Sequence, residues 1–424
     1  MLKILSSVML LGAIIATSSP VKQMAAVGQE LEETTMALSR EVKLKKLQSK
    51  SEMERSVALI EEKMRTLLGS DGLSAERVET IHDFSGNEYL FASFGANGYG
   101  ILNVANDDVV ETAPFAPLPF KEGDEVLYVP WIGYFKREGS TYQDLKDGHE
   151  LSQDEIEHLK EESSRFAVQS VIDADEDAAQ MKKSKIGFKK TAPTNKPMSS
   201  GLIYADHEVP YSWYFKRNYD EFPHNDTGIC GYVSASMMLA YNELFNSTGY
   251  FSSAQSTTYI TPYEGSFGPN GWDGVPDLSD SFPKAIWGNG IGDSVPGDIH
   301  SAINSFMNGK TKKYDIYDYV WKFATIKDPV KDGCPAAYFG NMQSPSGGNS
   351  SGHVVTVYGY YDNGDLLVHY GWEGYSQVVM SELGLFSQGG AVAIYNKSSH
   401  VHNNRYFIDH ATGKHYCGCG ELMS

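Results

Sequence analysis

Cys230 and His353 are the residues of this sequence whose types and surroundings best suit nucleophilic catalysis. Cys230 follows a glycine-containing loop over 225–229 and opens a run in which apolar residues recur with helical spacing. A thiol at a helix N-terminus meets the positive end of the helix dipole and unbonded amide groups, which stabilise the thiolate. The pattern therefore predicts a nucleophilic thiol. The alternative is a small buried cysteine that packs in the first helical turn.

His353 precedes a β-branched, apolar run over 354–357 that ends in Gly359 and Tyr360, and Asp362-Asn363-Gly364 then predicts a hairpin turn. Histidine titrates closest to neutral pH, which suits it to general acid and base chemistry. A histidine at a strand end can also be a hydrogen-bonded core residue. The helix-start cysteine upstream favours the general base.

The order of these segments resembles the papain-fold cysteine peptidases. Cys-Gly opens a helix, Gly-His opens a strand that ends in Gly-Tyr, and a further strand leads into Gly371 and Trp372. The most similar branches are the secreted streptopain-like and bacteriocin-leader-peptidase-like (peptidase C39-like) enzymes, over about 200–398. The resemblance implies an α+β fold, in which the Cys230 helix packs on an antiparallel sheet. It also implies a cysteine-type endopeptidase, with Cys230 as nucleophile, His353 as its base and no cofactor required for catalysis.

Two positions depart from the family pattern. The family orients its histidine with an Asn or Asp on the next strand, and the matching position here is His369. A tight turn centred on 363–364 would place His369 opposite Tyr358, so a longer loop or a bulge is needed to bring it towards His353. For the glutamine that supplies the family's oxyanion donor, the matching residues are His224 by spacing and Asn225 by chemistry.

These departures leave two alternatives open. One is a related Cys-His enzyme that hydrolyses cell-wall peptides or amides, and the other is a catalytically silent papain-like module used for binding. Cys334 lies in an apolar run over 333–339 and is predicted to be a core residue rather than a second nucleophile.

The C-terminal tail, 399–424, is rich in histidine and cysteine. Thiolate and imidazole groups are zinc ligands, and we expect a structural zinc site formed by His402, His415, Cys417 and Cys419. The alternative is a polar tail whose cysteines are idle or joined by a disulfide.

The net charge of −19, from 35 basic and 54 acidic side chains, argues against nucleic acid as a partner. Residues 1–26 are predicted to be a signal peptide, because the apolar run over 4–16 is shorter than the roughly 20 residues of a spanning helix and small residues follow it. A membrane anchor or a buried helix is the alternative. We therefore expect a secreted protein whose mature form is not membrane-bound.

The N-terminal half is predicted to be a pro-region over 27–180. A capping box at Ser51 opens a helix that Gly69 ends, strands alternate over 88–112, and a second helix runs from about Ser152 to about Val171. A Lys-rich, exposed linker over 181–200 separates it from the catalytic domain, 201–398. The expected partners are a polypeptide substrate and the pro-region itself, as an intramolecular inhibitor in a zymogen. An independent binding domain joined by a plain tether is the alternative.

Overall fold

The structure is a computed structural model that describes residues 49–146, 148–164, 166, 201–217, 229–246, 249–268, 271–288, 296–310, 314–319, 326–339, 353–381, 390–396 and 400–423. The predicted signal peptide and the predicted linker lie outside these residues. Within the described residues, no helix combines the length and the apolar character needed to cross a membrane.

Four of the described helices have twelve residues or more, and the others are short. The helices are α1 Lys50–Leu68, α2 over 153–164, α3 Trp213–Lys216, α4 Cys230–Tyr241 with a π-helical turn over Asn242–Asn246, α5 Ser253–Tyr259, α6 Ser281–Trp287, α7 Pro296–Met307 and α8 Lys327–Lys331.

The strands divide between the two halves of the chain. Those before residue 201 are β1 Arg77–His82, β2 Glu88–Ser93, β3 Gly98–Asn103, β4 Asp108–Pro114, β5 Val126–Val129, β6 Gly133–Glu138 and β7 Thr141–Asp144. Those after it are β8 His207–Glu208, β9 Ile260–Thr261, β10 Tyr263–Gly265, β11 Phe267–Gly268, β12 Gly271–Trp272, β13 Asp277–Leu278, β14 Tyr314–Tyr319, β15 Ala336–Phe339, β16 Val354–Tyr360, β17 Leu366–His369, β18 Val378–Met380, β19 Gly390–Asn396, β20 Phe407–Asp409 and β21 Lys414–Tyr416.

One large sheet runs through both halves in the order β14-β19-β15-β16-β17-β18-β4-β3-β2-β1-β5-β6-β7. The two halves join where β18 pairs antiparallel with β4, with Val379 opposite Thr112 and Met380 opposite Glu111. The expected α+β fold is confirmed: a helix-and-sheet region precedes a domain in which α4 lies on an antiparallel sheet.

Helix α1 starts two residues earlier than the sequence suggests. Ser49, not Ser51, is the N-cap, and it forms the capping box with Glu52. The pattern Ser-x-x-Glu occurs in both registers, so spacing alone does not choose between them. The C-terminal end is as predicted, because Gly69 adopts the left-handed conformation there. The apolar face of α1, through Ile60 and Met64, covers the predicted meander, which forms as β2, β3 and β4.

Helix α4 is buried along its whole length, from Cys230 to Tyr241. It lies against β15 and β16 on one side and against α6 and α7 on another. A hydrogen bond of 2.7 Å between the hydroxyls of Ser234 and Thr356 fixes it on β16. Because the core surrounds this helix, its first residue is held in a defined place relative to the start of β16.

Gly98, at the start of β3, lets this strand approach β4 closely. Its φ is +91°, and an added Cβ would lie 2.0 Å from the carbonyl oxygen of Ala113. We expect Gly98→Ala to lower the free energy of unfolding by about 4 kcal/mol or more, because backbone atoms must move. Gly86→Ala is the matched control, since Gly86 also has a positive φ of +81° but open space around it, and we expect a loss of about 1 kcal/mol. Thermal unfolding measures both, and equal losses would contradict the close approach.

Candidate active site

Cys230 is the first residue of α4, as the sequence predicts, and its side chain is buried. The amide nitrogen of Val354 donates a hydrogen bond to the Cys230 sulfur over 3.3 Å. Val354 directly follows His353, so the packing of α4 on β16 brings the thiol to the main chain next to the histidine. Hydrogen-bond donors around a sulfur favour its thiolate form.

The imidazole of His353 is held by the main chain of the neighbouring strand. Its Nε2 lies 2.8 Å from the carbonyl oxygen of Tyr370. A carbonyl only accepts hydrogen bonds, so in the neutral ring the proton lies on Nε2 and the lone pair on Nδ1. Nδ1 has no hydrogen-bond partner among the residues that the structure describes. His353 is therefore in the tautomer in which Nδ1 can accept a proton.

Aromatic rings enclose this imidazole. The Trp372 ring lies 4.8 Å from it in a tilted arrangement, and the Tyr370 ring stands edge-on at 5.5 Å. His353 is only 3% exposed. The rings exclude water and so strengthen electrostatic interactions at the site.

The pKa of His353 is lowered to about 3. Burial is the larger cause, and the positive charge of Lys146 is the second. A Cys-His ion pair requires the imidazole in its protonated form. In this arrangement the histidine is neutral at physiological pH, so the described form of the site disfavours the ion pair.

The N-terminal half covers the rings next to His353. The Lys146 ammonium lies 5.7 Å from the centre of the Trp372 ring, and a Cβ at Gly133 would be 3.5 Å from the same side chain. Trp131 packs edge-on against Tyr338 of β15 at 5.6 Å. Residues that precede 201 therefore contribute both a covering surface and a positive charge to the site.

His369 is buried on β17, with its Nδ1 accepting a hydrogen bond of 2.8 Å from the amide of Gly371. A bulge between Val357 and Gly359 shifts the hairpin register and places His369 opposite Thr356 rather than opposite Tyr358. The contact that His353 makes through Nε2 is to the carbonyl of Tyr370, one residue further along. The role of His369 as the orienting residue stays a prediction. The contact to Tyr370 uses a main-chain carbonyl, and no sequence pattern marks such an atom.

Two other predicted residues, His224 and Asn225, lie outside the described part of the chain. Cys334 is buried just before β15, as expected of a core residue, and burial raises the pKa of its thiol to about 12. Such a thiol is almost fully protonated at neutral pH and is a poor nucleophile. None of the four cysteines forms a disulfide.

The tail holds a metal-ligand group that differs by one residue from the predicted set. Ligand atoms of His400, His402, Cys417 and Cys419 all lie within 4.8 Å of one another. The group contains His400 in place of the predicted His415, whose Nδ1 lies 2.9 Å from the carbonyl oxygen of Asn404. The His400-x-His402 spacing was the signal that could have identified the right pair.

Residues 210–383 match the family described as Peptidase_C39 like. The chain contains a Peptidase C39-like domain. The resemblance drawn from Cys230, His353 and the strands around them is thereby confirmed at the level of the domain family, and both residues lie inside the matched range.

Comparison with curated proteins and with solved structures adds little to this family match. No curated protein matches the chain. Among solved structures, the chain is similar to a fragment of prointerpain A from Prevotella intermedia that carries a cysteine-to-alanine substitution, with 12% sequence identity and a TM-score of 0.28. The similarity covers 76% of this chain and 100% of that fragment.

The pKa of His353 predicts how stability depends on pH. The folded chain leaves this histidine neutral down to about pH 3, whereas an exposed histidine takes up a proton near pH 6.5. Below pH 6.5 the unfolded chain therefore binds one more proton here, and the free energy of unfolding decreases as the pH is lowered. Relative to His353→Gln, we expect the wild type to lose about 2 kcal/mol more between pH 6.5 and 5.

Urea unfolding at several pH values measures this difference. His410→Gln, at an exposed histidine, is the matched control for the substitution. If the wild type and His353→Gln show the same pH dependence, the histidine is not held in its neutral form.

Proposed function

We propose that this protein is a secreted cysteine-type endopeptidase made as a zymogen. The observation that carries the proposal is the contact between the Cys230 sulfur, at the start of α4, and the amide of the residue that follows His353. The peptidase family of the surrounding domain supports it.

The chemistry uses groups of this chain alone. Nδ1 of His353 takes the proton of Cys230, and the thiolate attacks the carbonyl carbon of a peptide bond. The imidazolium then protonates the leaving amine, which departs and leaves a thioester on Cys230. Water, deprotonated by the same imidazole, attacks the thioester, and the proton returns to the sulfur as the acid product leaves. Amide groups at the start of α4 are suited to stabilise the oxyanion.

No cofactor is needed in this scheme, because thiol, imidazole and main-chain amides supply every step. The metal-ligand group of the tail is structural in this proposal, since protein side chains can fill all four positions around a metal there.

The zymogen part of the proposal rests on how the N-terminal half covers the site. Lys146 and Gly133 lie against Trp372, and β4 extends the sheet of the domain through β18. Burial and the charge of Lys146 keep His353 neutral. Detaching this half would expose the imidazole and remove the nearby positive charge, which raises its pKa and favours the ion pair.

Secretion rests on the predicted signal peptide, 1–26, outside the described residues. In this proposal the mature chain acts outside the cell on polypeptide substrates, and its other partner is its own N-terminal half. Neither nucleic acid nor a membrane is among the partners of the mature form.

An epoxide inhibitor of papain-like enzymes tests the nucleophile. We expect it to label one cysteine in the processed protein, and Cys230→Ala to abolish the labelling, because only a thiol beside a base attacks the epoxide rapidly. Cys334→Ala is the matched control and should leave labelling unchanged. Mass spectrometry of the labelled peptide identifies the site, and an unlabelled Cys230 in the processed protein would favour the silent binding module.

Turnover of casein against purified peptidoglycan separates the endopeptidase from the cell-wall hydrolase.

The inhibitory role of the N-terminal half is tested by cutting the full chain. A recognition sequence for a site-specific protease is inserted within 181–200, and rates of Cys230 labelling are compared before and after cutting. We expect at least about a tenfold increase on cutting, because one pKa unit at His353 changes the ionised fraction tenfold. Lys146→Ala should raise the rate in the uncut chain, whereas Lys121→Ala, on an exposed turn of the same half, should not. Equal rates before and after cutting would argue for an independent N-terminal domain.

A further inference from the structure

We infer that His400, His402, Cys417 and Cys419 bind one zinc ion that fastens the C-terminal tail to the end of the Cys230 helix. Each residue offers one ligand atom, and the four atoms lie within 4.8 Å of one another. Two nitrogens and two sulfurs in a closed group are the ligand set of structural zinc.

The distances between ligand atoms fit a tetrahedral zinc ion. Zinc with bonds of about 2.0 Å to nitrogen and about 2.3 Å to sulfur separates two nitrogens by about 3.3 Å and a nitrogen from a sulfur by about 3.5 Å. Here Nε2 of His400 lies 3.2 Å from Nδ1 of His402. The Cys417 sulfur is 3.6 Å from that Nε2, and the Cys419 sulfur is 3.3 Å from that Nδ1. Three of the separations between the ligand atoms are therefore close to those that a tetrahedral zinc ion would impose.

A second contact fixes the ligand atom of His400. Its Nδ1 lies 3.1 Å from the carbonyl oxygen of Asn246, which accepts a hydrogen bond from the Nδ1–H group and so leaves the lone pair of Nε2 for the metal. Histidine ligands of metals are commonly held in this way by a carbonyl or carboxylate on their other nitrogen. Asn246 is the last residue of the π-helical turn that continues α4.

The two cysteines lie on a tight turn that presents both sulfurs to one point. The amide of Gly420 donates to the carbonyl of Cys417 over 2.8 Å, and the amide of Cys417 donates to the carbonyl of Glu421 over 2.9 Å. Gly420 has a φ of +93°, a conformation that glycine adopts without strain. Cys417 is fully buried, so a metal ion bound to its sulfur would be shielded from water on that side.

The turn also touches the end of the Cys230 helix directly. A Cβ at Gly418 would lie 2.6 Å from the carbonyl oxygen of Leu244, so the tail and the helix are in close contact at this point. Before this turn in the chain, β20 pairs in parallel with β10 and antiparallel with β21. Zinc would join two histidines before β20 to two cysteines after β21 and close this small sheet on the domain.

The experiment uses the full chain, purified under reducing conditions and loaded with Zn²⁺. We expect one zinc per chain by elemental analysis, and a Co²⁺-loaded sample with the visible absorption of tetrahedral cobalt and a thiolate charge-transfer band. His400→Ala should weaken zinc binding by more than about 100-fold, since even outer partners of a zinc ligand are worth 10–100-fold. His415→Ala is the matched control and should keep the metal. Cys419→Ser, at a partly exposed ligand, repeats the test if His400→Ala does not fold.

Chains without bound zinc, or with a mass two hydrogens lower from a Cys417–Cys419 disulfide, would overturn the inference. So would loss of the metal in His415→Ala with retention in His400→Ala. A fall in the unfolding temperature on chelation, absent in His400→Ala, supports the fastening role, whereas an unchanged temperature in the wild type rejects it. Metal content is read without any peptidase assay, so this test and the labelling of Cys230 can fail separately.

Discussion

The buried carboxylate of Glu111 is the interaction on which the arrangement of the two halves depends. It is 1% exposed and accepts hydrogen bonds from the hydroxyls of Tyr99, Tyr128, Tyr134 and Tyr370. Three of these tyrosines belong to the N-terminal sheet, and the fourth belongs to the peptidase domain. A buried carboxylate with too few donors is costly. Since the carbonyl of Tyr370 also holds His353, the contact that fastens the N-terminal half involves the residue that orients the imidazole.

Local sequence signals were enough for the elements that carry the site. Cys230 at a helix start, His353 at a strand start and the alternation over 88–112 each reflect a periodicity or a chain reversal within a few residues. The α+β fold followed from the order of those elements and from the family resemblance. These signals specify at which position of a helix or strand each residue lies, and the structure agrees with them on these positions.

Contacts between segments that are far apart in the sequence could not be predicted from these local signals. The orienting contact of His353 uses a main-chain carbonyl, which every residue has, so no residue type marks it. In the tail, the choice of His400 over His415 depends on how β20 and β21 pair and on a carbonyl contributed by Asn246, more than 150 positions away. The register of β16 and β17 depends on a bulge at Tyr358. Gly359 beside it is compatible with a bulge, but a glycine in a strand does not fix which residue is the extra one.

In the proposed zymogen, two buried groups would respond to acid in opposite senses on separation of the halves. Burial raises the pKa of Glu111, so the joined form takes up a proton there before the separated form does, and acid favours joining until the pH reaches the ordinary value near 4.5. Burial lowers the pKa of His353, so acid favours separation from about pH 6.5 down to about 3. Below pH 4.5 the carboxyl is protonated in both forms and contributes nothing further, while His353 continues to favour separation. Of these two groups, the imidazole therefore decides the response at the lowest pH, and it does so by the same protonation that an active Cys-His pair requires.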